Sequence, residues 1–222
     1  MNNLIYQCHI VGPNRTHQHE RHDHIKYSLD HFCKYAKIHG VEYMFSRQRY
    51  MQYTRAYGFN ATYEKLRPIL DSTFDDYDNI LVVDTDVMIA EPNNNIFDIS
   101  FDNIAMVKDD TISGFEQVDH YNSGVVLTTK EFRQRYREYF KEYKAFIEHV
   151  VDNEMDIRLG SDEYFINKVL RENNVEVHQL ADAWNVWYRY RSGYKEYNFL
   201  HFCNSDKRHM KRLYKVLHAK WM

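Results

Sequence analysis

The sequence is poor in the residues that disulfide scaffolds, disordered tracts and membrane spans require. Only three cysteines, Cys8, Cys33 and Cys203, occur among 222 residues, with 7 glycines and 3 prolines. The cysteines form neither a CxxC pair nor an even-numbered framework, which excludes a disulfide scaffold and favours reduced thiols. Aromatic residues reach 16%, which excludes a low-complexity chain. No apolar run approaches the roughly 18 residues of a transmembrane helix. We therefore expect a cytoplasmic globular protein without a leader or a membrane span.

The charge balance is close to neutral. The chain has 29 basic and 32 acidic residues, a formal net charge of -3. Because a strongly basic surface is the electrostatic signature of nucleic-acid binding, we expect no nucleic-acid partner. The length fits one hydrophobic core, so residues 1–222 are predicted to form a single domain.

Apolar runs and helical patterns alternate along the chain. This order predicts an α/β fold, with a mixed central sheet flanked by helices. The predicted strands are 4–11, 41–45, 79–83, 104–107, 175–180 and 199–202, with a polar turn at 121–124 that leads into a strand ending at 127. The predicted helices are 23–39, 61–70, 128–151 with a capping box formed by Thr128 and Glu131, 161–174, and a basic C-terminal helix over about 205–219.

Two carboxylates stand where a buried strand ends. Asp84-Thr85-Asp86 follows the apolar run 80–83 and precedes a second apolar run at 87–89. Open α/β sheets place their ligand crevice at the carboxyl ends of such strands. Burying two unpartnered carboxylates there costs several kcal/mol, and a hard divalent cation with oxygen ligands is the simplest partner. The motif predicts a metal site that serves phosphate chemistry.

Two enzyme classes share this motif. A haloacid-dehalogenase-type phosphatase uses the first aspartate, here Asp84, as its nucleophile and carries the motif on its first strand. A sugar-nucleotide transferase uses the pair to hold a metal on the donor diphosphate. The position of the motif on about the third strand favours the transferase. A third reading is a turn with solvated carboxylates.

A histidine and a lysine follow the last predicted strand. A neutral imidazole at His201 can complete a metal site begun by carboxylates. The ammonium of Lys207 can meet the negative charge that develops on a diphosphate leaving group.

Five motifs occur in one order along the chain. They are Lys65-Leu66, Asp84-Thr85-Asp86, Tyr121-Asn122-Ser123-Gly124-Val125, Ser161-Asp162-Glu163, and His201 to Lys207. The ordered set resembles the glycogenin-like glycosyltransferases of family 8, which have the GT-A fold and the DxD motif. The resemblance covers the chain from about Lys65 to Lys207.

The resemblance implies a role for each matching residue. Asp84, Asp86 and His201 bind Mn²⁺ or Mg²⁺, and Lys65 and Lys207 contact the donor. Asp162, Glu163 and Lys207 are the implied catalytic residues. The implied donor-binding residues are Val11, Asn14, Lys65, Asp84, Thr85, Asn122, Ser123, Asn204 and Lys207.

The sequence departs from the family pattern at three places. Asn204 stands where the family has glycine, Arg208-His209 where it has proline and tryptophan, and Glu163 where it has glutamine. The departures at Asn204 and Arg208 leave open a sugar-binding module that keeps the fold without turnover.

The implied reaction moves a hexose from a nucleoside-diphosphate sugar, expected to be a UDP-sugar, to a hydroxyl of a glycan, a lipid-linked glycan or a protein, with retention of configuration. Retention needs either a nucleophile, Asp162 or Glu163, or front-face attack within an ion pair.

The basic C-terminal helix is expected to pack on its own domain, with weak peripheral contact to an anionic membrane as the alternative. His17, His19, His22 and His24 are spaced as a solvated loop and not as a metal site.

Overall fold

The computed structural model describes residues 1–10, 24–50, 60–109, 120–152, 162–193 and 195–221. Within these ranges the chain forms nine strands and five α-helices. The strands are β1 (Asn3–Cys8), β2 (Glu42–Ser46), β3 (Asn79–Val83), β4 (Val87–Ile89), β5 (Ile104–Lys108), β6 (Tyr121–Thr129), β7 (Val177–Leu180), β8 (Val186–Trp187) and β9 (Phe199–His201). The helices are α1 (Ile25–His39), α2 (Arg67–Leu70), α3 (Lys130–Asp152), α4 (Asp162–Glu172) and α5 (Met210–His218).

The central sheet has six strands in the order β2-β1-β3-β6-β5-β7. β1 runs parallel to β2 and β3, whereas β6 runs antiparallel to β3 and β5, and β7 is parallel to β5. Alternate residues of β3 enter two different cores, since Ile80 and Val82 pack with residues of α2, α3 and α4, while Leu81 and Val83 pack with residues of α1. The predicted mixed α/β sheet with helices on both faces is confirmed.

A second, three-stranded sheet has the order β4-β9-β8. It begins four residues after β3, at Val87, which pairs with His201 on β9. Met88, Leu200 and Met210 lie in its core, which also includes Leu217 of α5. This small sheet therefore places His201 beside the turn between β3 and β4.

Several predicted boundaries were wrong. The motif Asn122-Ser123-Gly124 lies inside β6 and not in a turn before it. A register shift in β5 between Met106 and Val107 lets Val107 pair with Asn122, so that the ladder continues to Tyr121.

α3 is capped by Thr129, whose Oγ1 accepts from the backbone N–H of Phe132 at 3.1 Å. Thr128 is fully buried and donates to the carbonyl of Ile80 instead.

Two predicted helices are shorter than expected. Residues Asn60–Leu66 form a 3₁₀-helix, and only Arg67–Leu70 are α-helical, with Pro68 in the first turn, where a missing N–H costs nothing. The C-terminal segment begins as a 3₁₀-helix over Asn204–His209, so that Lys207 lies before α5. β8 was not predicted, because a two-residue strand carries no periodicity. No helix in the described ranges is long and apolar enough to cross a bilayer.

Candidate active site

The carboxyl end of β3 meets the beginning of β6. Because the two strands are antiparallel, Val83 pairs with Val125, and the backbone N–H of Asp84 donates to the carbonyl of Gly124 at 2.9 Å. The chain then turns, with the N–H of Val87 donating to the carbonyl of Asp84 at 3.2 Å. This turn holds Asp84, Thr85 and Asp86 at the edge of the central sheet.

His201 completes a cluster with the two aspartates. One ligand atom from each of Asp84, Asp86 and His201 lies within 4.8 Å of the others. The imidazole Nε2 is 3.2 Å from Asp86 Oδ1 and 3.8 Å from Asp84 Oδ2. The N–H of Phe202 donates to the carbonyl of Asp86 at 2.9 Å, which ties β9 to the turn.

Each aspartate also contacts a lysine through its second oxygen. Lys65 Nζ lies 2.9 Å from Asp84 Oδ1, and Lys207 Nζ lies 2.8 Å from Asp86 Oδ2. Lys65 is buried and donates in addition to the carbonyl of Ser123 at 2.9 Å. One oxygen of each carboxylate therefore meets an ammonium, and the other faces the imidazole.

The electrostatics differ between the two aspartates. Burial raises the pKa of Asp84 above its usual value, against the opposing effect of Lys65, and the nearby Asp86 charge adds to the rise. Asp86 is buried as well, yet His201 and then Lys207 bring its pKa below the usual value. Burial would lower the pKa of His201, but the Asp86 carboxylate raises it well above the usual value. Asp86 is thus the aspartate whose charge the protein stabilises.

The residues predicted to face the sugar form a second group at the start of α4. Asp162 Oδ2 forms an ion pair with Lys65 and accepts from Ser123 Oγ at 2.7 Å. Glu163 Oε2 accepts from Asn122 Nδ2 at 3.0 Å. Lys65 links the two groups, since it contacts both Asp84 and Asp162.

Gly124 allows His201 to approach the central sheet. A Cβ atom built on Gly124 would lie 2.4 Å from Cε1 and 2.6 Å from Nδ1 of His201. Real Cβ atoms do not approach so closely, so a side chain at Gly124 would displace the imidazole. The motif residue Gly124 is therefore explained by the space that His201 occupies.

Sequence reasoning missed two buried polar residues of the site. Gln7, which is fully buried on β1, donates to the carbonyl of Asp84 at 3.1 Å and to Ser28 Oγ at 2.9 Å. Asn185, which is 5% exposed, donates to Asn122 Oδ1 at 2.6 Å. A glutamine within an otherwise apolar strand was the available signal for Gln7. Asn185 gave none, because the short strand that follows it was not recognised.

The remaining predicted residues are only partly described. Val11 and Asn14 lie outside the described residues, as do His17, His19 and His22. Thr85 lies between the two aspartates, and Asn204 begins the 3₁₀-helix that carries Lys207. Their predicted roles toward the donor stay predictions.

The cluster of Asp84, Asp86 and His201 suits a divalent cation. Two carboxylates and an imidazole are ligands that Mn²⁺ accepts, and Mg²⁺ accepts the carboxylates readily. Asp84 Oδ2 and Asp86 Oδ1 face His201 Nε2, so all three ligand atoms converge. Three protein ligands also leave coordination positions for oxygens of a diphosphate.

Comparisons with known proteins agree on the fold. No protein-family model matches the chain, and no curated protein matches it in sequence. Its structure is similar to a glycosyltransferase involved in the glycosylation of the major capsid of PBCV-1, with a TM-score of 0.64 and 15% identity over 95% of this chain and 100% of that chain. It is also similar to apo GlyE of Streptococcus pneumoniae TIGR4, with a TM-score of 0.59 and 14% identity over 100% of this chain and 60% of that chain.

A third similar structure is the apo form of the bifunctional glycosyltransferase WbbM, with a TM-score of 0.54 and 11% identity over 99% of this chain and 51% of that chain. The chain thus spans the whole of the first of these proteins but only 60% and 51% of the other two. At these identities the similarity shows the fold, which is the GT-A-like fold of glycosyltransferases.

Proposed function

We propose that this protein is a metal-dependent glycosyltransferase that moves a hexose from a nucleoside-diphosphate sugar to a hydroxyl acceptor. The proposed donor is a UDP-sugar, and the proposed transfer retains the anomeric configuration. The observation that carries the proposal is the convergence of Asp84, Asp86 and His201, flanked by Lys65 and Lys207, at the sheet edge of a glycosyltransferase fold. A membership of the glycogenin-like family 8 is part of the same proposal and rests on the ordered motifs.

The residues divide into those that would hold the diphosphate and those that would hold the sugar. Asp84 Oδ2, Asp86 Oδ1 and His201 Nε2 would hold Mn²⁺ or Mg²⁺, which supplies Lewis-acid stabilisation of the diphosphate charge. Lys207 is 38% exposed and contacts Asp86, so its ammonium can reach a phosphate oxygen as negative charge develops on the leaving group. Lys65 is held by Asp84, Ser123 and Asp162, which suits a fixed counter-charge.

The sugar would lie against the start of β6 and α4. Asn122 and Glu163 are hydrogen-bonded to each other there, and Asp162 is fixed by Lys65 and Ser123. Carboxylates beside the reacting carbon stabilise the positive charge of an oxocarbenium-like transition state. The acceptor hydroxyl would belong to a glycan, a lipid-linked glycan or a protein.

Hydrolysis of nucleotide sugars tests the proposal directly. The purified protein is incubated with UDP-, GDP- and CDP-sugars in Mn²⁺ or in EDTA, and release of the nucleotide is measured. We expect release of one nucleoside diphosphate with Mn²⁺, a loss of about 100-fold or more in EDTA and in Asp86→Asn, and no loss in Asp102→Asn, an exposed aspartate remote in sequence from the cluster.

Two outcomes would overturn the proposal in favour of the alternatives. Hydrolysis of a simple phosphomonoester that is abolished by Asp84→Asn would indicate the haloacid-dehalogenase-type phosphatase. Binding of a sugar nucleotide without turnover in any metal or acceptor mixture would indicate a non-catalytic sugar-binding module.

A further inference from the structure

Three N–H donors converge on the carboxylate of Glu163. Oε2 accepts from Asn122 Nδ2 at 3.0 Å and from the backbone N–H of Ser123 at 3.2 Å. Oε1 lies 3.0 Å from Nε2 of His120, which is 6% exposed. The Glu163 side chain itself is 22% exposed. The protein therefore holds the carboxylate through both of its oxygens, while the side chain keeps partial exposure to solvent.

The direction of these hydrogen bonds is set by the backbone. The N–H of Gly124 can only donate, so the Asn122 atom that it contacts at 2.8 Å is the oxygen Oδ1. The same oxygen accepts from Asn185 Nδ2 at 2.6 Å. Asn122 must then present its NH₂ group to Glu163, which acts as the acceptor. Asn185, Asn122 and Glu163 thus form an ordered relay that ends on a carboxylate oxygen.

Glu163 differs from the other carboxylates of the site in its partners. Asp84 and Asp162 contact Lys65, and Asp86 contacts Lys207. In the part of the chain that the structure describes, Glu163 makes no ion pair with a lysine or an arginine, and its partners are an amide, a backbone N–H and an imidazole. Among the described residues, Glu163 is consequently the carboxylate of the site that has an imidazole, and not an ammonium, as its side-chain ion-pair partner.

We infer that Glu163 is a specificity-determining residue that excludes donor sugars carrying a carboxylate and so selects neutral hexoses. The inference rests on the proposed function, which places the sugar beside Asn122 and Glu163. A uronic acid in that place would bring a second carboxylate against a carboxylate that cannot withdraw, because three donors hold it. Like charges at close range disfavour binding. A neutral hydroxyl can instead donate to Glu163 Oε1.

Matched donor pairs test this inference. UDP-glucose is compared with UDP-glucuronate, and UDP-galactose with UDP-galacturonate, because each pair differs only at C6. For the donor pair that the protein accepts, we expect the wild-type kcat/KM to be about 100-fold higher for the neutral sugar than for the uronate. Glu163→Gln keeps the shape and removes the charge. It should lower turnover of both donors, because a carboxylate beside the reacting carbon is lost, and should reduce the ratio of the two kcat/KM values at least tenfold. Glu163→Asp should keep the preference, and Glu172→Gln, an exposed position on the same helix, should not change it.

His120 provides a second route if Glu163→Gln does not fold. His120→Ala releases Oε1 and should weaken the discrimination, whereas His120→Gln keeps a side-chain donor and should preserve it. A wild-type protein that uses uronates as well as neutral sugars, or a Glu163→Gln variant that changes both donors equally, overturns the inference. Titration with UDP and Mn²⁺ separates the two proposals. If the protein binds UDP but Glu163→Gln discriminates between the two donors as the wild type does, only the inference is overturned. If the protein neither binds UDP nor turns over a donor, the proposed function is overturned as well.

Discussion

The imidazole of His201 fills the space beside Gly124 at the carboxyl end of β3. The imidazole takes the space in which any side chain at residue 124 would place its first carbon. The identity of residue 124 is therefore coupled to the position of a metal-ligand candidate that lies 77 residues later in the sequence.

We expect Gly124→Ala to affect stability and metal binding together. Inserting a methyl group into a packed site costs about 1–3 kcal/mol, and relief of the contact requires the His201 imidazole to shift from its position beside Asp86. The free energy of unfolding in urea should fall by that amount, and the Mn²⁺ concentration needed for UDP binding should rise about tenfold or more.

Gly193→Ala is the matched control, since nothing lies within 4 Å of a Cβ built there. Unchanged Mn²⁺ affinity in Gly124→Ala, with normal folding, would contradict the role of His201 as a ligand.

At the scale of elements, the contact between α1 and β4 includes a buried histidine. His31 is fully buried, and its Nδ1 accepts from the backbone N–H of Ile89 at 3.2 Å. Tyr214 and Trp221 lie against its ring. Burial lowers the pKa of His31 from 6.5 to about 4, despite the opposing charge of Asp30. The neutral imidazole is thus part of the packing between the helix and the small sheet.

This pKa predicts how stability depends on pH. Between about pH 6.5 and 4 the unfolded chain binds a proton at His31 that the folded chain does not bind, so stability is complete above about pH 6.5 and falls as the pH is lowered through this range. The loss attributable to His31 should reach about 3 kcal/mol near pH 4.

Urea unfolding from pH 7.5 to 4.5 measures this dependence. His31→Asn keeps an acceptor for Ile89 but does not titrate in this range, so its unfolding free energy should change less with pH than that of the wild type. Equal slopes for the two proteins would contradict the assignment to His31.

The elements also differ in how accurately their bounds could be predicted from the sequence. The run Asn79–Val83 was predicted with its true boundaries, because a continuous apolar run that stops at two aspartates leaves little ambiguity. The cap of α3 was misplaced by one residue, since Thr128 and Thr129 are chemically equivalent and only the folded structure decides which hydroxyl accepts from the N–H of Phe132. Asn185 and Gln7 were missed because their partners, Asn122 and Asp84, are distant in sequence.

At the scale of the whole molecule, the candidate metal ligands come from both sheets. Asp84 follows β3 of the central sheet, whereas His201 ends β9 of the small sheet. Asp86 lies in the turn between β3 and β4, immediately before the small sheet begins. A cation held by all three would join the two sheets. The native state would therefore gain a crosslink that an unfolded chain lacks.

We accordingly expect Mn²⁺ to raise the melting temperature. A ligand that binds only the folded state at about 100 times its Kd stabilises it by about 2.7 kcal/mol, and EDTA should reverse the shift. Differential scanning fluorimetry of wild type, His201→Ala and Asp102→Asn over a range of Mn²⁺ concentrations measures the effect. A shift that persists in His201→Ala would show that the cation binds elsewhere.

Lys65 gives the molecule a further property, because it joins segments that are far apart in the sequence. Its ammonium is buried among Asp84 after β3, Ser123 on β6 and Asp162 on α4, groups that lie 19, 58 and 97 residues along the chain. A chain in which α4 has not yet docked leaves the ammonium short of a partner and Asp162 without its counter-charge. Under the proposed function, donor binding therefore requires β3, β6 and α4 to be docked together, and a partly folded chain would not hold the nucleotide sugar.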